Sequence, residues 1–299
     1  MKTAVIVSSV NRPQVLHETM VAIRRQTVSP IAVILSLCDT CSVLPETARL
    51  PAVTTVQGQT GLTRQRNAGL SAVPSTAEYV LFLDDDTELA PNYLASMERL
   101  FDGRGDLAVA SGIFAMDGLR IGRPLTREEA MAAVIRQPLE NKTEPAEAIS
   151  GCNIFVRRAI AESVRFDERL PLCGWLEDFD FSVRSRPHGR VVWNFETCVA
   201  HLGVQRAGRE RGFMVGYAQV ANSYYLCQKG VIPSFGTLLG TYWAPTFRVN
   251  FHGMLRCAVH RNSPWNLVFD HPGRMAGSAQ ALLDAARHRL TPERLLDFA

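Results

Sequence analysis

Tyr79-Val80-Leu81-Phe82-Leu83-Asp84-Asp85-Asp86 is a short apolar run closed by three consecutive carboxylates. An uninterrupted apolar run of this length reads as a strand buried on both faces, the kind found inside a parallel sheet. Carboxylates at the end of such a strand repel one another and lose hydration, so a bound hard cation accounts for keeping them there. A second acidic group, Glu177, Asp178 and Asp180, follows much later in the chain. The two groups together predict a cation site and a base, which points to phosphate chemistry.

Outward from this run, short β-rich segments at Thr3 to Ser9, Ile31 to Leu37, Val53 to Val56 and Leu107 to Ile113 alternate with helical patterns. That alternation is the signature of βαβ units and predicts an α/β fold with a mostly parallel sheet flanked by helices. Pro13 suits a first helical turn, and Leu16, Met20 and Ile23 recur behind it at helical spacing. A second region, Gly112 to Leu202, adds strands at Ile149 to Val156 and Arg190 to Trp193, with Glu177 to Arg184 reading as a helix start. This region is expected to form the other wall of a cleft. Beyond Gly203 the pattern turns helical, with Phe213, Tyr217, Val220 and Tyr224 on one stripe and an Ala/Leu-rich helix near Met275 to Leu290. The expected division is a catalytic domain over 1–205 and a mostly helical extension over 206–299.

The bulk numbers exclude several classes. A chain of 299 residues with 46% apolar residues can fill a core without staples. A net charge of +3 with no dense run of Lys and Arg makes nucleic acid an unexpected partner. Seven scattered cysteines, and a Met1-Lys2 start that runs directly into a strand-like segment, predict a reducing, cytoplasmic setting. Cys38-Asp39-Thr40-Cys41 has redox-motif spacing, but no second pair completes a zinc site and no thioredoxin-like aromatic precedes it, so both read as small core or loop residues. The sequon Asn141-Lys142-Thr143 has no meaning in a cytoplasmic chain. Arg248, His252 and Arg256 interrupt the most lipophilic C-terminal stretch, so no window reaches transmembrane length. For that aromatic, basic stretch, peripheral contact with the inner face of a membrane and plain core packing stand as equal readings.

Ligands of open α/β sheets bind at the carboxyl ends of strands, and Asn11-Arg12, Asp39, Gly61 to Gly69 and Asp84 to Asp86 all fall at such ends. These loops are therefore expected to share one crevice. In this order and spacing the chain resembles the family 2 glycosyltransferases, enzymes of the Rossmann-like GT-A fold that take a sugar from a nucleotide diphosphate donor. Asn11-Arg12-Pro13 is similar to the family's Asn-Arg element, Asp39-Thr40-Cys41-Ser42 to its Asp-x-x-Ser turn and Arg66-Asn67-Ala68-Gly69 to its Arg-Asn-x-Gly segment. Asp84-Asp85-Asp86 matches the Asp-x-Asp motif. Ser150-Gly151-Cys152-Asn153 and Phe166-Asp167-Glu168 resemble the acceptor-side elements, followed by Glu177-Asp178-Phe179-Asp180, Arg184 and His201. The resemblance spans roughly residues 3 to 205.

The resemblance implies a divalent metal, Mn²⁺ or Mg²⁺, held by Asp86 and His201, with Asn11, Arg12, Asp39, Arg66, Asn67 and Asp84 toward the donor. It implies Asp178 as the base that deprotonates the acceptor hydroxyl in an inverting transfer, with Gly151, Trp175 and Glu177 on the acceptor side. Each has a physical reading as well: Asp86 can ligate a cation that neutralises a diphosphate, and Asp39 can accept from a nucleobase or ribose. Arg66 can pair with phosphate, and a helix start would keep Asp178 ionised. Asp180 is expected to brace the helix against Arg184, four residues on. Arg206, Arg209 and Arg211, among glycines, read either as a lid over the diphosphate or as a solvated loop. The implied acceptor is a carbohydrate or glycolipid of cell-surface polysaccharide or glycolipid synthesis.

Two features depart from the family pattern. Ser8-Ser9-Val10 replaces the frequent Pro-x-Tyr before Asn-Arg, which leaves the nucleobase open, and Cys41 stands where a glycine is usual. A sugar-phosphate nucleotidyltransferase would need a glycine-rich phosphate loop, yet Val10 to Gln14 contains no glycine. A catalytically silent nucleotide-sugar-binding subunit would need Asp86 but not Asp178.

Overall fold

The computed structural model describes residues 2–39, 42–204, 212–259 and 270–299. The first part of the chain runs β1 (Thr3–Ser9), α1 (Pro13–Arg24), β2 (Ala32–Leu37), α2 (Pro45–Ala48), β3 (Val53–Gln57), α3 (Leu62–Leu70) and β4 (Tyr79–Asp84). Then come β5 (Thr87–Leu89), α4 (Tyr93–Gly103), β6 (Leu107–Asp117), α5 (Gly118–Ile121), α6 (Arg127–Arg136), β7 (Thr143–Pro145), β8 (Asn153–Arg157), α7 (Arg158–Val164), α8 (Glu177–Ser185) and β9 (Arg190–His201). The C-terminal part holds α9 (Gly212–Gln228), α10 (Phe235–Thr237), a π-helical turn (Leu238–Trp243), α11 (Ala244–Val259) and α12 (His271–Ala286).

Among the described residues nine strands join one sheet in the order β3-β2-β1-β4-β8-β6-β9-β5, with β7 on β9. Strands β3, β2, β1, β4, β6 and β9 point the same way, and β8, β5 and β7 run against them. The strands expected to build a separate wall therefore extend the same sheet, with β8 inserted antiparallel between β4 and β6. The strand expected at Arg190 to Trp193 runs on to His201 as β9, which register shifts opposite Gly112/Ile113 and Phe114/Met116 carry past irregular pairing.

Alternation along each strand splits the core in two. Val5, Val7, Leu81 and Leu83 face Leu16, Met20 and Ile23 of α1 and Tyr93, Met97 and Phe101 of α4. Ala4, Ile6, Val80 and Phe82 face Leu70, Ile160, Phe166 and Phe181 on the other side. There Phe166 stacks on Phe181 with centroids 4.5 Å apart, which anchors α8 below the sheet and leaves its N-terminus at the strand ends. Burying each such ring stabilises by roughly 1.5–3 kcal/mol.

The C-terminal helices form their own core around Tyr217, Val220, Leu226, Trp243 and Ala281. Of the expected stripe on α9, Tyr217 and Val220 are buried and Phe213 and Tyr224 half-buried, while Gly216, Ala218 and Ala221 are buried as well. Glycine explains this: a Cβ at Gly216 would lie 1.9 Å from the Arg274 carbonyl, and one at Gly277 1.9 Å from that of Phe213, so α9 and α12 cross at backbone contact. Among the described residues no helix is long and apolar enough to cross a membrane.

Candidate active site

Strand β4 delivers the aspartates to the carboxyl edge of the sheet, where Asp84 still pairs with Ser8 in register. Their side chains then diverge. Asp85 turns fully inward, where Ser9 Oγ donates to it at 2.5 Å and the Arg12 guanidinium grips both of its oxygens. Burial pushes this carboxyl up to about 7, with Arg12 opposing. Asp85 is thus a brace within the fold, and Arg12 is committed to it, to Asp86 at 3.4 Å and to the Val204 carbonyl at 2.6 Å.

The chain reverses immediately after the triplet, so that β5 pairs with β9 and Thr87 lies opposite His201. This pairing brings His201 Nε2 to 3.4 Å from Asp86 Oδ1. Asp84, Asp86 and His201 each offer one ligand atom, all within 4.8 Å of one another. Burial disfavours the Asp86 anion, but His201, Arg12 and the Val204 amide outweigh it and hold the carboxyl at about 2. Desolvation works against a charged His201, and Asp117 and Asp86 overcome it and raise its pKa well above the usual value.

Asp117, which the sequence reading missed, stands opposite His201 in the β6–β9 register, 3.1 Å from its Nδ1. A carboxylate there fixes the ring so that Nε2 faces Asp86, the arrangement that orients metal-binding histidines. The missed signal was available: Asp117 closes an apolar strand just as Asp84 does.

Arg66 joins the two acidic groups. It is 1% exposed and sits on α3, with Nη2 donating to Asp84 Oδ1 at 3.1 Å and to the Gly151 carbonyl at 2.7 Å, while Nη1 lies 2.7 Å from Glu177 Oε1. The Phe166 ring supports its flat face 5.0 Å away. Glu177 is buried, which pushes its carboxyl up to about 8 despite Arg66. Asp178 accepts from the Gly151 N–H at 2.9 Å and the Phe179 N–H at 2.8 Å; burial raises its pKa and those two amides oppose the rise. Gly151 has no room for a side chain, since a Cβ would sit 2.6 Å from Glu177 Oε1. The candidate base and the candidate metal ligands therefore lie on either side of a single guanidinium, which contacts Asp84 on one side and Glu177, beside Asp178, on the other.

The segment leading into α8 is held in rarely adopted backbone, with φ of 56° at Leu172, 66° at Gly174 and 68° at Leu176. Each non-glycine residue so placed costs roughly 1–3 kcal/mol. The start of α3 restrains the segment: the Leu62 N–H donates to the Leu172 carbonyl at 2.7 Å and Thr63 Oγ1 to that of Leu170 at 3.0 Å. Trp175, 37% exposed, projects from it, its carbonyl accepting from Asn222 Nδ2 at 2.9 Å.

Asn11, exposed at φ 54°, and Asp39 meet around Ser42, whose Oγ accepts from the Asn11 N–H at 2.9 Å and donates to Asp39 Oδ1 at 2.8 Å. Thr40 and Cys41 of that turn, and Arg206, Arg209 and Arg211, lie outside the described residues. Asn67 is engaged at both ends by Phe166 and by Glu168, so it fastens α3 to the Phe166–Glu168 segment. Asp180 pairs with Arg184 at 2.7 Å, as their spacing predicts, and also with Lys229 of the C-terminal part at 2.7 Å.

A profile described as Glycosyl transferase family 2 matches residues 4–164, more than half of the chain. The chain belongs to glycosyltransferase family 2. Solved structures similar to this glycosyltransferase include Staphylococcus aureus TarS 1–349, at TM-score 0.57 and 14% identity over 98% of this chain and 89% of that one. The same TarS fragment in complex with UDP-GlcNAc aligns at TM-score 0.56 and 16% identity over 90% and 79%. GalNAc-T7 with UDP, GalNAc and Mn²⁺ aligns at 0.54 and 14% over 77% of this chain, which spans 50% of that one. At these identities the likeness shows the GT-A fold. The search of curated proteins gave no match.

Proposed function

We propose that this family 2 glycosyltransferase is metal-dependent and inverting, and that it moves a sugar from a nucleotide diphosphate to an acceptor hydroxyl in cell-surface polysaccharide or glycolipid synthesis. The observation that carries the reading is the Arg66 bridge, with Asp84 on one side and Glu177 beside Asp178 on the other. Asp84, Asp86 and His201 would hold Mn²⁺ or Mg²⁺, and two carboxylates with one imidazole suit Mn²⁺ well. When bound, such an ion neutralises the diphosphate and the charge that grows on it as it leaves.

Asp178 takes the proton of the attacking hydroxyl. Its burial makes it more basic than an exposed carboxylate, and the Gly151 and Phe179 amides aim it. Glu177 and Arg66 set the floor between donor and acceptor, and Trp175 offers a ring for a sugar face. Asn11 and Asp39 border the nucleoside end, and Arg12 and Asn67 act through the groups they position. Residues 1–205 form the catalytic unit and 206–299 brace the helix that carries Asp178. UDP-GlcNAc in the TarS complex and UDP with GalNAc in GalNAc-T7 make uridine donors the first to test.

The test is Mn²⁺-dependent thermal stabilisation by a panel of nucleotide sugars, followed by transfer assays with the best donor. Asp86→Asn should lose the metal-dependent stabilisation, and Asp178→Asn should keep it while losing transfer. Near-normal transfer by Asp178→Asn would overturn the assignment of the base.

A further inference from the structure

The outer face of α11 and the turn before it have no partner within the described chain. At about 3.6 residues per turn, Asn250 and Gly253 point inward. Asn250 is 1% exposed and donates to Gln219 Oε1 at 2.9 Å, and a Cβ at Gly253 would strike the His271 ring at 2.3 Å. The opposite side presents Phe251 and Leu255, 46% and 48% exposed, beside Arg248, His252 and Arg256, which recur every fourth residue. Val249 on the same helix is 58% exposed, and Phe235 and Leu239 of the preceding turns are 55% and 42% exposed.

The charge pattern selects the occupant. No Asp or Glu occurs between Glu210 and Asp270, although the whole chain holds 29 acidic residues. The nearest acidic side chains of α12 are turned inward: Asp270 caps that helix, and Asp284 is buried against Tyr217 and Arg294. A cationic stripe bordered by exposed Phe, Leu and Val on a helix lying across the surface matches the interface of an anionic bilayer, where apolar groups enter the acyl boundary and Arg meets headgroup phosphate. A second copy of the chain would instead bring Arg248 and Arg256 against an equally basic face or require acids that residues 211–269 lack.

We propose that this face of α11, with Phe235 and Leu239, docks the enzyme on an anionic phospholipid surface. The layer that carries it reaches the helix of the candidate base: Tyr242 packs on Phe179, the residue after Asp178, at 5.8 Å. Docking would therefore present the acceptor side of the crevice to a membrane-borne glycolipid. That purpose rests on the acceptor reading above, whereas the docking itself is measured without donor, acceptor or turnover.

The experiment is co-sedimentation of the full chain with vesicles of phosphatidylcholine alone or doped with phosphatidylglycerol. Wild type is expected in the pellet only with the doped vesicles, and both Phe251→Ser/Leu255→Ser and Arg248→Glu/Arg256→Glu should lower partitioning about tenfold or more with unchanged thermal melting. Both pairs are exposed, so their folding is checked independently by the melt. Wild type remaining in the supernatant overturns the proposal, as do variants that bind like wild type. Vesicle-independent dimers abolished by Phe251→Ser/Leu255→Ser, seen by sedimentation velocity, would assign the face to a second copy instead.

Discussion

Arg66 Nη1 lies 2.7 Å from Glu177 Oε1, a buried contact between α3 and the first turn of α8. The same guanidinium holds Asp84 at 3.1 Å, so one side chain keeps the two acidic groups apart and together at once. Removing it leaves the Asp84 carboxylate without its cation and the buried Glu177 carboxyl without its partner, which typically costs about 3–5 kcal/mol. Arg66→Met is expected to lower stability by that order in chemical denaturation, and adding Glu177→Gln should restore part of it.

Glu177 gives a pH signature. Its folded pKa of about 8 lies above the ordinary 4.5, so the folded chain holds this proton more tightly than the unfolded chain. The resulting stability is complete below about pH 4.5 and is lost as pH rises through about 8. Thermal melts across this window should show the decline in wild type and a shallower one in Glu177→Gln.

Asp178→Asn is expected to reduce turnover roughly 10²–10⁴-fold while donor affinity stays within about twofold. Because burial raises the Asp178 pKa, the acid limb of the turnover profile should fall above the usual carboxylate range. Single-turnover kinetics against pH, with donor affinity measured separately by calorimetry, checks both statements.

Asp117 touches His201 and is not itself in the candidate ligand set. Asp117→Asn should weaken Mn²⁺ binding by about 10–100-fold, since the amide holds the ring less firmly in its tautomer. Titration followed by electron paramagnetic resonance reads this without any substrate.

Lys229 ties the C-terminal helices to the catalytic unit, donating to Asp167 at 2.6 Å and to Asp180 at 2.7 Å. Tyr225 adds a third link, donating to Asp167 at 2.8 Å. Lys229→Met leaves the fully buried Asp180 with Arg184 alone. The expected result is lower kcat with little change in donor KM, because α8 shifts while the metal side stays. An equal loss in both parameters would assign Lys229 a purely structural role.

The sequence by itself placed seven of the nine described strands, since short apolar runs between turns have few other ways to hide both faces, but not the three-residue β5 and β7; it also put Asp84, Asp178 and His201 at element ends. It also carried the family resemblance, because a series of short motifs in fixed order survives divergence that the rest of the chain does not. Only the tertiary structure decided the division of labour among neighbours. Asp85 became a buried brace and Asp86 a candidate ligand through contacts with Arg12, Ser9 and His201, which lie far away in the chain. Asp117 meets His201 across 84 residues because β6 and β9 pair in one register, and β8 slots in antiparallel to set Gly151 between Arg66 and Asp178. Such pairings depend on which strand edges find each other, a long-range choice that local pattern does not encode.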